Sequence, residues 1–290
     1  MKDGSMANAM HGKTVMVTGA TDGIGLVTAR VLAEQGARVL LVGRNEQKGQ
    51  RALTGIRETA KGADLAFHRA DLSRLSDIRR LATIVAETEP QLDVLVNNAG
   101  GIFEQRQVTE DGFERTFALN HLNYFLLTNL LLQKLRAAPA GRIVNVASRA
   151  HVGGEIAFDD PNLRQGYKGW RAYRQSKLAN ILFTRELARR LEGTSVTANS
   201  LHPGFVRTRF GGDNPTIFRM ALRLAMAALA ISVEEGAKTP IFLASSPAVE
   251  GKTGGYYVKN AEVEPARAAR DDAAAERLWQ MSEEMVGASG

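Results

Sequence analysis

The sequence predicts an α/β protein built on one doubly wound parallel sheet with helices on both faces. Three observations carry this. Short β-branched apolar runs alternate with longer helical patterns along the chain. Runs such as Val15-Met16-Val17 and Val94-Leu95-Val96 are apolar at consecutive positions, which suits strands covered on both faces. The first run also passes through a glycine-rich turn directly into a helical pattern.

Strands are predicted at Thr14–Thr18, Arg38–Val42, Leu65–Arg69, Val94–Val96, Arg142–Val146 and Val196–Ser200, with Tyr256–Val258 as a seventh. Helices are predicted at Ile24–Gln35, Glu46–Lys61, Ser76–Thr88, Asp111–Ala137 and Ala172–Leu191, with a C-terminal helix at about 270–286. Strands separated by such helices need right-handed crossovers, and therefore a buried parallel sheet. No linker rich in Pro, Gly or Ser divides the chain. Residues 12–290 are expected to form one domain after a polar tail at 1–11 that stays outside the fold.

The 290 residues are 44% hydrophobic and 23% charged, ordinary values for a globular protein with a sizeable core. There is no cysteine, which excludes disulfides, thiolate nucleophiles and cysteine-bearing metal sites. The five histidines lack metal-ligand spacing, so no metal is expected. The net charge of +6 is scattered rather than blocked. That argues against a nucleic-acid partner, while a modest positive field suits an anionic cofactor. The longest apolar stretch, Ile217–Ile231, is interrupted by Arg219 and Arg223 and is too short to span a bilayer. A cytoplasmic protein without a transmembrane segment is expected.

The first predicted strand runs into Thr18-Gly19-Ala20-Thr21-Asp22-Gly23-Ile24-Gly25. Glycines there let the backbone turn tightly against a pyrophosphate, and the following helix offers unpaired N–H groups. The spacing is G-x-x-x-G-x-G rather than G-x-G-x-x-G, so a ligand-free turn is the alternative. Folds that bind NAD carry an acid about 20 residues beyond the glycines, for the ribose 2′-hydroxyl. From Ala37 to Asn45 there is none, and Arg44 stands at the strand's end. A guanidinium there can grip a 2′-phosphate, which favours NADP(H) over NAD(H); a solvated loop arginine is the alternative. Asp71 and Leu72 follow the third strand, where an adenine ring would lie; a turn acid bonding its own backbone fits Asp71 equally. Asn97-Asn98-Ala99-Gly100 ends the fourth strand, on the edge where ligands bind in parallel sheets, though an Asn-rich turn fits as well.

Tyr173 and Lys177 are four apart on a helical pattern and so share one face. A cation beside the phenol is expected to lower its pKa towards working pH, as a general acid/base for carbonyl and alcohol chemistry requires. Ser148 lies just past the fifth strand, where its hydroxyl can hold the reacting oxygen. A lone Y-x-x-x-K match is weak; together with Ser148 and the glycine loop it is specific.

In order along the chain, Gly19/Gly23/Gly25, Asn97-Asn98-Ala99-Gly100, Asn120, Ser148, Tyr173/Lys177 and Pro203-Gly204 resemble the short-chain dehydrogenase/reductase family, whose fold is of the Rossmann type. The resemblance runs from about His11 to the C-terminus. It is closest to the retinol-dehydrogenase-like and WW-domain-oxidoreductase-like branch through Leu119-Asn120-His121-Leu122, Ser176–Thr184, His202-Pro203-Gly204 and Leu278-Trp279. It implies that Tyr173 is the proton donor and acceptor, that Lys177 also binds the nicotinamide ribose, and that Ser148 orients the reacting oxygen. Asn120 would hold a water linking Lys177 to solvent. Gly19, Thr21, Asp22, Gly23, Ile24, Gly25, Arg44, Asp71, Leu72, Asn98, Ala99, Gly100, Pro203, Gly204, Val206 and Thr208 would line the cofactor. Ala147 departs from the pattern, since close relatives often carry a serine there.

The 25 residues from Ser148 to Tyr173 include His151, Phe158, Tyr167 and Trp170 and are expected to wall the substrate pocket, with His151 structural rather than a ligand. Residues 210–232 read as a mobile apolar lid; a core helix or a membrane-surface helix are the alternatives. The expected function is carbonyl–alcohol interconversion on a small, lipophilic molecule. Its competitors are a non-catalytic NADP(H) sensor and a C=C reductase or epimerase. The apolar runs Tyr124–Leu132 and Ile181–Leu191 face either a second copy in a homodimer or the chain's own sheet.

Overall fold

The computed structural model describes residues 9–205 and 231–287. The expected lid at 210–232, apart from its last two residues, and the expected cofactor contacts Val206 and Thr208 lie outside the described residues.

Strands β1 (Thr14–Thr18), β2 (Arg38–Gly43), β3 (Leu65–Arg69), β4 (Val94–Asn97), β5 (Arg142–Val146), β6 (Thr197–His202), β7 (Tyr256–Val258) and β8 (Ala261–Glu262) form one sheet in the order β3-β2-β1-β4-β5-β6-β7-β8. All neighbours are parallel except β7 and β8. The order reverses between β1 and β4, and the carboxyl ends of parallel strands at such a reversal open a crevice. The helices are α1 (Gly23–Glu34), α2 (Glu46–Thr59), α3 (Leu75–Thr88), α4 (Arg115–Phe117), α5 (Asn123–Ala137), α6 (Gly169–Arg190), α7 (Val233–Ser245) and α8 (Asp272–Val286).

Side chains alternate across each strand. Val15 and Val17 point into the core with α1, α2 and α7, while Met16 points into the one with α3, α5, α6 and α8. This is why Val15, Met16 and Val17 are all at 0% exposure and why the strands read as continuous apolar runs. The runs Tyr124–Leu132 and Ile181–Leu191 contribute Phe125, Leu131, Phe183 and Leu187 to the second core, where Trp279 of α8 joins them. Among the described residues no helix is long and apolar enough to cross a membrane.

Four features depart from the sequence expectations. Met10, assigned to the outer tail, is buried at 5% and donates its N–H to the Gln35 carbonyl at 2.9 Å. The helix expected from Asp111 begins only at Arg115, because Thr109–Gly112 closes a turn in which Gly112 has φ +85°. Buried Glu114 then caps the helix, accepting the Thr116 and Phe117 N–H groups at 2.8 Å each. Strand β8 was not expected; Lys259 (φ +50°) and Asn260 (φ +64°) form the two-residue, left-handed turn that hairpins favour, without the usual glycine. Helix α7 was also missed, although Ser232 caps it by accepting the Glu235 N–H.

Candidate active site

The glycine loop is shaped by atoms it cannot accommodate. Gly19 has φ +65°, and a Cβ on it would lie 3.0 Å from the Ala99 Cα. A Cβ on Gly25 would meet the Gly19 carbonyl oxygen at 2.3 Å, and one on Gly43 would meet the Thr21 methyl at 2.7 Å. The loop is therefore pressed against the ends of β2 and β4. Thr18, at the end of β1, makes the junction: its hydroxyl accepts the Asn98 and Ala99 N–H groups at 2.8 and 3.0 Å and donates to the Val96 carbonyl at 3.3 Å. Asn98 donates its side-chain amide back to the Thr18 carbonyl at 2.8 Å. The sequence reading missed Thr18, and a hydroxyl at the last position of β1 was the available signal.

Asp22 caps α1 by accepting the Gly23 N–H at 2.9 Å, leaving Ile24 and Gly25 with first-turn N–H groups that the helix itself cannot pair. Arg44 lies exposed just past β2, next to Asn45, which caps α2. Asp71 makes the turn bond that one reading allowed: its Oδ1 accepts both the N–H and the hydroxyl of Ser73, at 3.0 and 2.7 Å. The Leu72 side chain is buried in the core. The cradle fits a dinucleotide pyrophosphate: a strand-to-helix turn stripped of side chains, with helix N–H groups facing it.

Across the same carboxyl edge stand Ser148, Tyr173, Lys177 and Asn120. Lys177, buried at 3%, donates from Nζ to the Val146 carbonyl at 2.9 Å, which ties α6 to the end of β5. The ammonium lies 5.7 Å from the Tyr173 ring centre. Ser148 hydrogen-bonds the Tyr173 phenol, and its Oγ also accepts the Ala150 N–H at 3.2 Å. Asn120 is fully buried in a π-helical turn, Ala118–Leu122, between α4 and α5. Its Oδ1 accepts the Gly101 N–H at 2.7 Å, while Nδ2 donates to the Gly101 carbonyl and the Ser176 hydroxyl, both at 2.9 Å. A Cβ on Gly100 would lie 3.0 Å from Asn120 Oδ1 and 3.6 Å from Lys177 Nζ, so this glycine separates the two side chains.

The expected lowering of the Tyr173 pKa is corrected by the structure. Burial pushes the phenol up to about 12, opposed by the hydrogen bond from Ser148. Burial also lowers Lys177 to about 7, so at neutral pH it is only a partial cation. Both ring nitrogens of His151 are engaged: Nδ1 donates to the Ser148 carbonyl at 2.7 Å and Nε2 accepts the Ala266 N–H at 3.1 Å. Behind β5, a fully buried chain of amides and hydroxyls supports the rim. Asn97 donates to Asn145 (2.9 Å), Asn145 to Thr184 (3.0 Å), Thr184 to the Asn180 carbonyl (2.6 Å), and Asn180 to the Val146 carbonyl (3.3 Å) that also receives Lys177.

The wall before Tyr173 is anchored from several sides. Gly169 leaves no room for a Cβ, which would lie 2.3 Å from the Phe103 carbonyl oxygen. Gln175 accepts the Ala157 N–H at 2.9 Å, and Asn162 accepts the Glu114 N–H at 2.7 Å. Trp170 is half exposed, with its ring 5.6 Å from that of Tyr173. Pro203 and Gly204 follow β6; Gly204 has φ +98°, and a Cβ on it would meet the Ile231 side chain at 2.4 Å.

Residues 13–216 match the short chain dehydrogenase family. Human retinol dehydrogenase 14 is 43% identical, over 99% of this chain and 90% of its own. The crystal structure of an uncharacterized protein from Mycobacterium paratuberculosis shares 35% identity with a TM-score of 0.77, over 96% of this chain and 94% of that one. A short chain dehydrogenase from Escherichia coli CFT073, crystallised with NADPH, has a TM-score of 0.69 at 26% identity, over 88% of this chain and 99% of that one. Sheet order, glycine cradle and these likenesses agree: the chain belongs to the short-chain dehydrogenase/reductase family, in its retinol-dehydrogenase-like branch, and is an oxidoreductase.

Proposed function

We propose that the chain is an NADP(H)-dependent oxidoreductase interconverting a carbonyl and an alcohol on a lipophilic substrate, with Tyr173 as general acid/base. The observation that carries this reading is the meeting of Tyr173, Ser148 and Lys177 on one buried rim, facing the cradle formed by Gly19, Gly23 and Gly25. A dinucleotide whose pyrophosphate lay in that cradle would bring a nicotinamide that supplies a hydride when reduced and accepts one when oxidised.

Ser148 donates a hydrogen bond to the substrate oxygen and fixes it beside the Tyr173 hydroxyl. A phenol raised to about 12 keeps its proton at neutral pH and can deliver it to the carbonyl oxygen as the carbon is reduced. The protonated form of Lys177 then lowers the cost of the phenolate left behind. Asn120 holds the Gly101 backbone and α6 in place beside this pair. In the alcohol-oxidising direction the same groups act in reverse.

Preference for NADP(H) is supported by Arg44 at the end of β2, by the lack of an acid there, and by the NADPH complex of the Escherichia coli relative. A lipophilic, retinoid-like substrate is supported by the retinol dehydrogenase relatives. It is supported also by large apolar side chains at the site's margin: Val152, Trp170 and Phe205 are 54%, 50% and 47% exposed on three segments that flank Ser148, Tyr173 and Gly204. The test is oxidation of NADPH and NADH by the purified protein with retinal, a long saturated aldehyde and a quinone. Turnover of a lipophilic aldehyde with at least about tenfold preference for NADPH is expected. Tight NADPH binding without turnover of any carbonyl would refute the reading.

A further inference from the structure

Two parts of the family resemblance, His121 beside Asn120 and the segment Leu278-Trp279 of α8, have no part in the reaction proposed above. In the structure they meet. His121 follows Asn120 in the π-helical turn and is fully buried, with its ring centre 4.9 Å from that of Phe117 and 6.0 Å from that of Phe183. Its Nε2 lies 2.9 Å from the Ser282 hydroxyl of α8. The same hydroxyl lies 2.7 Å from the Leu278 carbonyl, to which it can also donate. The ring also hydrogen-bonds the Asn180 side chain of α6, and its tautomer sets which of His121 and Ser282 is the donor. Burial holds the ring neutral, with its pKa lowered to about 3.

A π-helical turn is rare and clusters at functional sites, where surrounding contacts maintain it. On one side of this turn the Asn120 carboxamide is clamped to Gly101 and Ser176. Asn123 closes the turn by donating its amide to the Leu119 carbonyl. On the far side the polar ties are those of His121, to Ser282 of α8 and to the Asn180 side chain of α6. Helix α8 is a firm anchor for it. Trp279 stacks on Phe183 with ring centres 5.8 Å apart and stands edge-on to Phe125 at 4.9 Å. Arg190 covers the indole at 4.2 Å, Arg79 donates to the Val286 carbonyl at 2.6 Å, and Asp272 pairs with Arg185 at 2.8 Å.

The geometry points to His121 and Ser282 as positioning residues: through one buried hydrogen bond, the C-terminal helix holds the turn that sets Asn120 at the reaction centre. This rests on the reading of Asn120, Tyr173 and Lys177 given above. Neither His121 nor Ser282 touches substrate. Their effect is transmitted by the backbone of residues 118–122 to Asn120, and from Asn120 to the Gly101 backbone and to Ser176, the residue next to Lys177. A role in packing alone would change stability and nothing else.

The test uses the full chain with Ser282→Ala, which removes the hydroxyl, and His121→Gln, whose amide can occupy the place of Nε2. Steady-state kinetics, NADPH affinity and amide hydrogen exchange are measured on both. Ser282→Ala should lower kcat about tenfold with KM and NADPH affinity within about twofold, because small misplacements act on the chemical step. Exchange should quicken at the Gly101 N–H and at 118–122, and not in β1–β3. His121→Gln should keep kcat within about threefold of the parent. If Ser282→Ala lowers only the melting temperature, with kcat and local exchange unchanged, the proposal falls. If the parent reduces no carbonyl, exchange still decides: local quickening upholds the tie while the proposed reaction fails, and unchanged exchange overturns the tie itself.

Discussion

The two rims of the crevice are held in opposite ways. The rim proposed to hold the cofactor is fixed by missing side chains: Gly19 and Gly25 bring backbone against backbone, Gly43 makes room for the Thr21 side chain, and one hydroxyl, Thr18, closes the gap to β4. The rim proposed as catalytic is fixed by side chains that are present. Asn97, Asn145, Thr184 and Asn180 run behind β5 to the carbonyl that receives Lys177, and Asn120 is clamped from above. The first rim breaks when atoms are added, the second when they are removed. Backbone contacts tolerate no added methyl group, while buried polar groups tolerate no lost partner.

The largest effect is therefore expected from Gly25→Val. Its Cβ would lie 2.3 Å from the Gly19 carbonyl oxygen, and neither backbone can yield without opening the loop. NADPH binding, followed by fluorescence titration, should weaken by on the order of 100-fold or more, and the melting temperature should drop. An affinity close to the parent's would show that the cradle is not where the dinucleotide binds.

Asn145→Ala probes the opposite rim. It takes one partner each from the Asn97 amide, which keeps Thr128, and the Thr184 hydroxyl, which keeps the Asn180 carbonyl, both at 0% exposure. A loss of about 2–4 kcal/mol in urea unfolding is expected, with NADPH affinity largely kept. Loss of cofactor binding instead would mean the two rims are mechanically one.

A third test separates the rims by pH. Lys177 titrates at about 7 in the folded chain and near ~10.4 when unfolded, so between those values the unfolded chain binds more protons. Stability without cofactor should therefore rise as pH climbs from about 7 towards 10. It should fall beyond, where unfolded tyrosine ionises while Tyr173 keeps its proton up to about 12. Lys177→Met should flatten the rise by roughly a few degrees in Tm. An unchanged slope would assign it to other groups; His121 and His202, lowered to about 3 and about 4, act only below pH 6.5.

The smallest effect is at the outer edge of the cofactor rim. Arg44→Asp should move the NADPH/NADH ratio of kcat/KM by about tenfold towards NADH, with little change in fold. A constant ratio would remove Arg44 from cofactor choice.

This division also decides what could be read from the chain. Strands β1, β3, β5 and β7 have the predicted ends; in β1 and β5 a β-branched run buried on both faces leaves a plain pattern. The glycine loop was legible because a glycine's freedom is a property of the residue itself. The catalytic rim was legible only where local spacing carries it, as in Tyr173 and Lys177. The π-helical turn was hidden, since residues 118–122 keep the apolar pattern of an ordinary helix. The bond from Asn145 to Thr184 and the tie from His121 to Ser282 join residues 39 and 161 positions apart along the chain. The Tyr173 pKa was misjudged for a related reason: helical spacing places the cation, but burial, which outweighs it here, is set by the whole fold.

The most direct test of the account is to reduce retinal with NADPH carrying deuterium at the transferable position of the nicotinamide and to locate the label in the product. The account predicts one deuteron on the former carbonyl carbon of the alcohol, with Tyr173→Phe forming no labelled product. Deuterium on a carbon of the double-bond chain, or equal labelling by the Tyr173→Phe protein, would contradict it.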